Sequence, residues 1–159
     1  IPQREIGESY VTPGKMEIEV SDVRYPETVE RESSYETRTY EPESGEQFVL
    51  IELSVENRDS QSRTAPSENN FVVIREDGSE AETFSVYPGL SSEYDFLAPV
   101  EGAAYDGGDL STNDSTEGWV LLRTSDDVTL SDANLRWRRG PLLRNSDEPE
   151  GLVAQWSLQ

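Results

Sequence analysis

The feature that most constrains the fold is a set of short runs in which apolar and polar residues alternate. The clearest example is residues 47–57 (QFVLIELSVEN), where Val49, Ile51, Leu53 and Val55 share one face. A period of two is the pattern of a β-strand with one buried face. Further strands are predicted at 15–25, in a hairpin at 70–87 that turns at Asp77-Gly78, and at 94–97, 118–124, 128–139 and 152–159.

Helical periodicity is absent from the sequence, and glycine and proline separate the apolar runs. Many short strands with this punctuation predict an all-β chain folded as an antiparallel β-sandwich. A length of 159 residues suggests a single domain over residues 1–159. The predicted core consists of Ile18, Val20, Val49, Ile51, Leu53, Val55, Val73, Trp119, Leu121, Leu135 and Trp137.

Three segments are predicted to lack regular strands. Residues 26–46 are highly charged and read as a long solvated loop, with one weak strand over 35–40. Residues 58–69 contain no apolar side chain larger than alanine, and residues 88–118 are irregular and rich in glycine and proline apart from the short strand predicted at 94–97. These segments are expected to lie at the surface.

The charge balance describes the surroundings of the protein. Thirty-three acidic residues face thirteen basic ones, for a net charge of −20, and Lys15 is the sole lysine. Such a charge strains a compact fold by self-repulsion, but molar salt shortens the Debye length to about 3 Å and screens it. The composition is similar to that of proteins from extreme halophiles. The alternative is an acidic protein of ordinary salt that binds cations or basic partners.

Composition also excludes several classes of function. Nucleic-acid binding requires a positive surface, which this chain lacks, and an anionic membrane would repel it, so any membrane contact would come through a lipid anchor outside this chain. The sequence has no cysteine and no histidine. Disulfides, thiolate chemistry, the usual zinc ligands and a Ser-His-Asp triad are therefore excluded. We expect a protein that is not an enzyme and has no cofactor, since a catalytic carboxylate pair is the one remaining route.

Several motifs occur together in an informative order. They are GESYVTPGKMEIEVSDVRY, then GEQFVLIELSVENR from Gly45, then NNFVVIREDGSEAETF, then GWVLLRT with ANLRW. Together they resemble the telokin-like extracellular domains of prokaryotic secreted proteins and lipoproteins over residues 7–138. The resemblance implies an immunoglobulin-like β-sandwich outside the cell, with no catalytic residues to carry over. Residues 88–117 are longer than the family pattern, and residues 139–159 form a C-terminal extension with a final strand.

The glycine-rich loop YDGGDLSTNDSTEG holds the candidate metal ligands Asp106, Asp109, Asp114 and Glu117, with Asn113 beside them. Ca²⁺ prefers several oxygen ligands on a flexible loop, although the spacing is not that of an EF-hand. The alternative is a solvated acidic loop. Asn113-Asp114-Ser115 is also an N-x-S sequon, so Asn113 is the candidate glycosylation site of an exported protein.

Two further groups have both structural and functional interpretations. Trp119, Trp137 and Trp156 lie in strand-like runs, which favours burial in the core over a ligand surface. The arginine group at 136, 138 and 139 is expected to pair with the surplus carboxylates, and the alternative is a docking point for an acidic neighbour.

Three functions follow from these observations. The first is an extracellular or cell-surface interaction module that binds an unidentified protein partner. The second is a structural subunit that assembles by β-strand addition through its terminal strand, residues 151–158. The third is a cation- or solute-binding module, supported by the acidic loop.

Overall fold

The structure is a computed structural model that describes residues 1–34, 36–86, 94–138 and 153–159. The described residues form β-strands and two 3₁₀ turns, at Glu68–Asn70 and Leu130–Asp132. The strands are β1 (Gln3–Arg4), β2 (Ser9–Val11), β3 (Met16–Arg24), β4 (Val29–Ser33), β5 (Thr37–Tyr40), β6 (Glu46–Asn57), β7 (Arg63–Thr64), β8 (Phe71–Ile74), β9 (Thr83–Ser85), β10 (Tyr94–Ala98), β11 (Gly102–Ala103), β12 (Asp109–Leu110), β13 (Ser115–Ser125), β14 (Asn134–Arg138) and β15 (Val153–Ser157).

The strands form three layers, and the predicted all-β sandwich is confirmed. The central sheet has the order β2-β3-β6-β13-β9, and the closing sheet on one side of it has the order β1-β15-β14-β8. An outer sheet, β11-β10-β4-β5, covers part of the opposite side, and β12 pairs with β7 in a short ribbon. Among the described strands the pairings are antiparallel except that of β1 with β15, and the isolated bridge between Ala104 and Trp119 is also parallel. Within the described residues no helix has the length and apolarity needed to cross a membrane.

The main core lies between the central and closing sheets. Alternation in β6 directs Val49, Ile51, Leu53 and Val55 into it, and all four are fully buried. Buried side chains of β8, β14 and β15 in the closing sheet, such as Val73, Leu135 and Trp156, form the other half of this core. Every predicted core residue is buried, which confirms that prediction.

A second, smaller core lies between the central and outer sheets. Phe48 and Leu50 of β6 and Trp119 and Leu121 of β13 point away from the main core, yet all are buried. The outer sheet covers them with Val29 and Phe96, among others. The middle strands β6 and β13 therefore have both faces buried along their continuous apolar stretches. A continuous apolar stretch is the sequence pattern of a strand that is buried on both faces.

The segment predicted as a solvated loop, residues 26–46, instead contains the hairpin of β4 and β5, so that prediction is wrong for residues 29–33. The weak strand expected near 35–40 is confirmed as Thr37–Tyr40. The sequence VERES does not look like a strand because two of its five residues are glutamates, and these face outward. Its other positions, Val29 and Arg31, face inward and are buried, and Val29 belongs to the second core.

The Asp77-Gly78 turn is confirmed in part. Gly78 has φ +88°, the left-handed region that favours glycine, and its N–H donates to Arg75 O (2.9 Å). The strands on either side do not form a simple hairpin, because β8 joins the closing sheet and β9 joins the central sheet. The bridge between Ile74 and Glu80 and the hydrogen bonds from Ala81 N to Val73 O (2.8 Å) and from Val73 N to Thr83 Oγ1 (3.0 Å) link the two sides beyond the turn, so this segment connects the two layers.

The final strand β15 pairs on both sides within its own domain. It runs antiparallel to β14 and parallel to β1, and Trp156 Nε1 donates to Glu8 O (2.9 Å). Tyr25 Oη donates to Leu158 O (2.6 Å) and fixes the residue after the strand. The edge toward β14 is paired along the whole strand, and the edge toward β1 is paired at Gln155 and Trp156, which counts against addition of this strand to another subunit. Residues 151 and 152 lie outside the described residues, and assembly by strand addition stays a prediction.

One glycine marks a close approach of two backbones. Gly118 in β13 faces the segment that carries Ala104 and Tyr105, and Tyr105 N donates to Trp119 O (3.0 Å). A Cβ built on Gly118 would lie 2.4 Å from Tyr105 N. The position therefore requires glycine for space, and this contact fixes Tyr105 against the central sheet.

Candidate functional site

The four candidate metal ligands of the acidic loop lie on separate elements around β12. Asp109 Oδ1 accepts a hydrogen bond from Thr64 Oγ1 (2.8 Å), and Asp114 Oδ2 accepts one from Ser111 N (3.2 Å). Asp106 precedes β12 and Glu117 lies in β13; both are exposed. In the described ranges, no three carboxylates gather into a group able to hold a metal ion. Ca²⁺ binding by this loop stays a prediction.

The sequon lies on an exposed turn between β12 and β13. Asn113 has φ +67°, its N–H donates to Asn57 O (2.7 Å), and its side chain is exposed. The turn is closed by Asp114 N donating to Ser111 O (3.0 Å). The side chain is thus reachable by a glycosylating enzyme, and occupancy of Asn113 stays a prediction.

The tryptophans and arginines have structural roles. Trp119, Trp137 and Trp156 are buried, which confirms their assignment to the core. Arg138 forms an ion pair with Glu80, as predicted, while Arg136 Nε donates to the amide oxygen of Gln155 (3.2 Å). Arg139 lies outside the described residues.

A site that the sequence did not predict lies where the outer sheet meets the central one. Arg31 on β4 is only 2% exposed, because alternation turns it inward beside Val29 while Glu30 and Glu32 face outward. Its direct cross-strand neighbour on β10 is Phe96 of the second core. A guanidinium is always charged, so its burial is costly unless the surroundings stabilise it.

Aromatic rings supply part of that stabilisation. The Cζ atom of Arg31 lies 4.0 Å from the centre of the Tyr40 ring, 4.7 Å from that of Tyr94 and 5.6 Å from that of Phe96. Such cation–π contacts contribute about 2 kcal/mol or more when desolvated. Nη1 also donates to Val86 O (2.8 Å).

The remaining edge of the guanidinium is unsatisfied. Nε and Nη2 of Arg31 are buried and have no hydrogen-bond partner. These two nitrogens form one edge of the planar group, the fork that binds both oxygens of a carboxylate. Each buried donor without a partner costs about 1–3 kcal/mol. An empty fork inside the protein is therefore a feature that stability alone does not explain.

A carboxyl group of opposite charge lies in the field of Arg31 without bonding to its fork. Glu68, on the first 3₁₀ turn, is half-buried; burial raises its pKa, and the positive charge of Arg31 opposes that rise. Burial also raises the pKa of the Tyr94 hydroxyl, again opposed by Arg31, while the charge of Glu68 adds to the rise. These three groups therefore form one electrostatic cluster.

A groove of about 540 Å³ adjoins this cluster. Tyr94 is common to both, since its ring contacts Arg31 and also lines the groove. Tyr105 lies at the other side with its hydroxyl donating to Pro66 O (2.7 Å), and burial raises its pKa. The groove is lined by Glu32, Ser33, Ser34, Tyr94, Asp95, Ala103, Ala104, Tyr105 and Asp106.

The groove is acidic. Glu32 and Asp95 are direct cross-strand partners in the outer sheet, and both are exposed. Like charges in this position destabilise a sheet. With Asp106 they give the lining three carboxylates, and none of the described residues that line it is basic. The chemistry of the groove therefore suits a cationic group packed against tyrosine rings.

The fold and this groove define an antiparallel β-sandwich protein with a covered outer face. The chain belongs to the family described as domain of unknown function DUF4352, whose sequence model matches residues 5–131. No curated protein is significantly similar to the chain in sequence.

Solved structures share the fold at low sequence identity. MPT63, a secreted protein from Mycobacterium tuberculosis, is 15% identical with a TM-score of 0.60, over 99% of this chain and 98% of that one. An uncharacterized β-sandwich protein from Clostridium difficile 630 is 15% identical with a TM-score of 0.53, over 99% and 94%. A putative lipoprotein from Bacillus subtilis, ycdA, is 12% identical with a TM-score of 0.55, over 95% of this chain but 38% of that one. The likeness is one of fold.

Proposed function

We propose that the chain is a non-enzymatic interaction module that works outside the cell or at its surface, where it binds a protein partner. The groove beside Tyr94 and Tyr105 is the observation that carries the proposal, because it offers aromatic surface and carboxylates without histidine or cysteine. One of the similar structures is a secreted protein and another a putative lipoprotein, which supports the location. The immunoglobulin-like, telokin-like class named from the sequence motifs is part of this proposal.

The surroundings are proposed to be concentrated salt. The strand glutamates Glu17, Glu19, Glu52 and Glu56 are half-buried on the face of the central sheet opposite the main core. Glu17 and Glu56 are direct cross-strand partners, and Arg58 forms ion pairs with both. Since a single arginine serves two carboxylates there, most of the surplus negative charge depends on dissolved cations for screening.

Labelling of intact source cells tests the location. A membrane-impermeant reagent that modifies carboxylates or tyrosines should label the protein on intact cells as strongly as after lysis, or the protein should appear in the medium. A known cytoplasmic protein serves as the control for cell integrity. Labelling that appears only after lysis would contradict the proposal.

A further inference from the structure

The chain contains two Asp-Gly pairs, Asp77-Gly78 and Asp106-Gly107. In such a pair the main-chain nitrogen of the glycine can attack the side-chain carboxyl of the aspartate, because glycine has no Cβ to block the approach. We propose that Asp106 is a site of spontaneous conversion to isoaspartate in the folded protein, whereas Asp77 is protected from this reaction. The proposal goes beyond the surface role above and does not depend on it.

The reaction consumes and returns only water. The N–H of Gly107 loses its proton to solvent, its nitrogen forms a bond to Cγ of Asp106, and one carboxyl oxygen leaves as water. This step is intramolecular and closes a succinimide ring. Water then adds to one of the two ring carbonyls. Addition at Cγ restores aspartate, and addition at the main-chain carbon gives isoaspartate, whose main chain runs through Cβ and Cγ.

At Asp77 both reacting groups are already engaged in hydrogen bonds. Oδ1 of Asp77 accepts from Ser79 N (2.9 Å) and from Ser79 Oγ (2.6 Å), and Gly78 N donates to Arg75 O (2.9 Å). The bonds from Ser79 also hold the pKa of Asp77 below its usual range. Its carboxyl therefore stays ionised, and an ionised carboxyl is a poor target for a nitrogen nucleophile. The turn must open before Asp77 can react.

At Asp106 both reacting groups are free. The carboxyl of Asp106 is exposed and has neither a hydrogen-bond nor an ion-pair partner within the described residues. The N–H of Gly107 likewise makes no hydrogen bond to the part of the chain that the structure describes. The peptide oxygen beside it is engaged instead, because Thr116 Oγ1 donates to Asp106 O (2.9 Å). This bond stabilises the negative charge that this oxygen carries when Gly107 N loses its proton.

Packing explains why glycine stands at position 107. A Cβ built there would lie 3.0 Å from Pro66 O, a main-chain atom that no side-chain rotation can move. The following residue, Gly108, has φ +124°, which favours glycine as well. A bulkier residue after Asp106, which would slow the reaction, is therefore disfavoured by the fold.

Conversion would disturb the groove. Isoaspartate adds one carbon atom to the main chain between two fixed contacts, Tyr105 N donating to Trp119 O (3.0 Å) and Ala65 N donating to Gly108 O (2.8 Å). The segment must then bulge or release one of these contacts. Asp106 itself lines the groove, so its carboxylate is displaced from the lining.

The test is incubation of the folded chain in molar NaCl prepared with water that carries the heavy isotope of oxygen. The first passage through the ring leaves one labelled oxygen in the residue. Cleavage after arginine releases residues 76–123 as one peptide that holds both Asp-Gly pairs, so mass-spectrometric fragmentation compares them in the same molecules. Fragmentation also identifies isoaspartate, because its main chain includes the Cα–Cβ bond. We expect label and isoaspartate to accumulate at residue 106 more than about tenfold faster than at residue 77, since Asp77 must first give up its hydrogen bonds.

Two controls isolate the effect of the fold. In the chain unfolded by urea, Asp77 and Asp106 should be labelled at similar rates, because both precede glycine and the protecting hydrogen bonds are lost. Ser79→Ala removes the Oγ donor to Asp77 and leaves the segment around Asp106 unchanged. This variant should raise the labelling of Asp77 in the folded protein.

Two results would overturn the proposal: absence of label at residue 106 in the folded protein when the unfolded chain is labelled there, or labelling of Asp77 as fast as that of Asp106 in the folded protein. Unchanged labelling of Asp77 in Ser79→Ala would contradict the assigned cause of its protection. The location of the protein at the cell surface is unaffected by any of these outcomes, so the two proposals can fail separately.

Discussion

Replacing Gly118 with alanine would force apart two backbones that hold the groove against the central sheet. The new Cβ would lie 2.4 Å from Tyr105 N, 2.5 Å from Tyr105 Cα and 2.7 Å from Ala104 C. All three atoms belong to the main chain, so no side chain can rotate to relieve the contact. The segment must move by about 1 Å to reach ordinary van der Waals distance.

The cost can be worked out from the contacts that this movement breaks. The hydrogen bond from Tyr105 N to Trp119 O (3.0 Å) and that from Tyr105 Oη to Pro66 O (2.7 Å) contribute about 1 kcal/mol each. Overpacking in a well-packed region adds about 1–3 kcal/mol. We therefore expect Gly118→Ala to lower the free energy of unfolding by about 3–5 kcal/mol, a large part of the roughly 5–15 kcal/mol of a typical domain.

Urea unfolding in molar NaCl, followed by tryptophan fluorescence, measures this loss. Gly78→Ala is the matched control, because nothing lies within 4 Å of its Cβ and only its φ of +88° is unfavourable. The control should lose about 1–2 kcal/mol. If Gly118→Ala is no less stable than Gly78→Ala, the close approach of the two backbones does not exist as described.

Three further predictions concern charge and the closing sheet. Stability should rise steeply from low to molar salt, because screening weakens repulsion within a chain of net charge −20; a flat response in thermal unfolding would contradict this. Burial raises the pKa of Glu68 in the folded protein. The contribution of this side chain to the free energy of unfolding is therefore fully present below its pKa in the unfolded chain, and it is lost as the pH rises through its pKa in the folded protein. Glu68→Gln should therefore be more stable than the unmodified protein at neutral pH and equal to it near about pH 4, and a pH-independent difference in urea unfolding would refute the assignment. Truncation after Arg138 removes β15 and uncovers Leu135 and Trp137, so it should abolish cooperative unfolding; a cooperative transition in the truncated chain would show that β15 is dispensable.

The sequence predicts strands well where one face is apolar. In β6 the alternation of Val49, Ile51, Leu53 and Val55 is enough to define both the strand and its buried face. The same logic gives β13 and β14. Residues 128–139 are only partly a strand, because the 3₁₀ turn Leu130–Asp132 precedes β14. Leu130 is buried although it lies in this turn, so its apolar side chain fitted the pattern of a strand in the sequence.

The candidate site could not be predicted in the same way. In β4 the inward positions hold Val29, Arg31 and Ser33, so the alternation is present but its inner face is partly charged. Hydrophobic patterning assigns such a segment to solvent. What buries Arg31 is its pairing with β10, which is distant in sequence, and the rings of Tyr40 and Tyr94. Only a tertiary contact of this kind identifies Arg31 as part of a site.

The parallel pairing of β1 with β15 has a mechanical consequence. Gln3 faces Gln155 and Arg4 faces Trp156, and Gln155 N donates to Pro2 O (3.0 Å). Opposed forces applied at residues 1 and 159 would pull these two strands past each other along their length. The hydrogen bonds between them would then carry the load together, in shear, instead of opening one after another. A pull between the two ends of this chain is therefore resisted at the seam where they meet before it reaches either core.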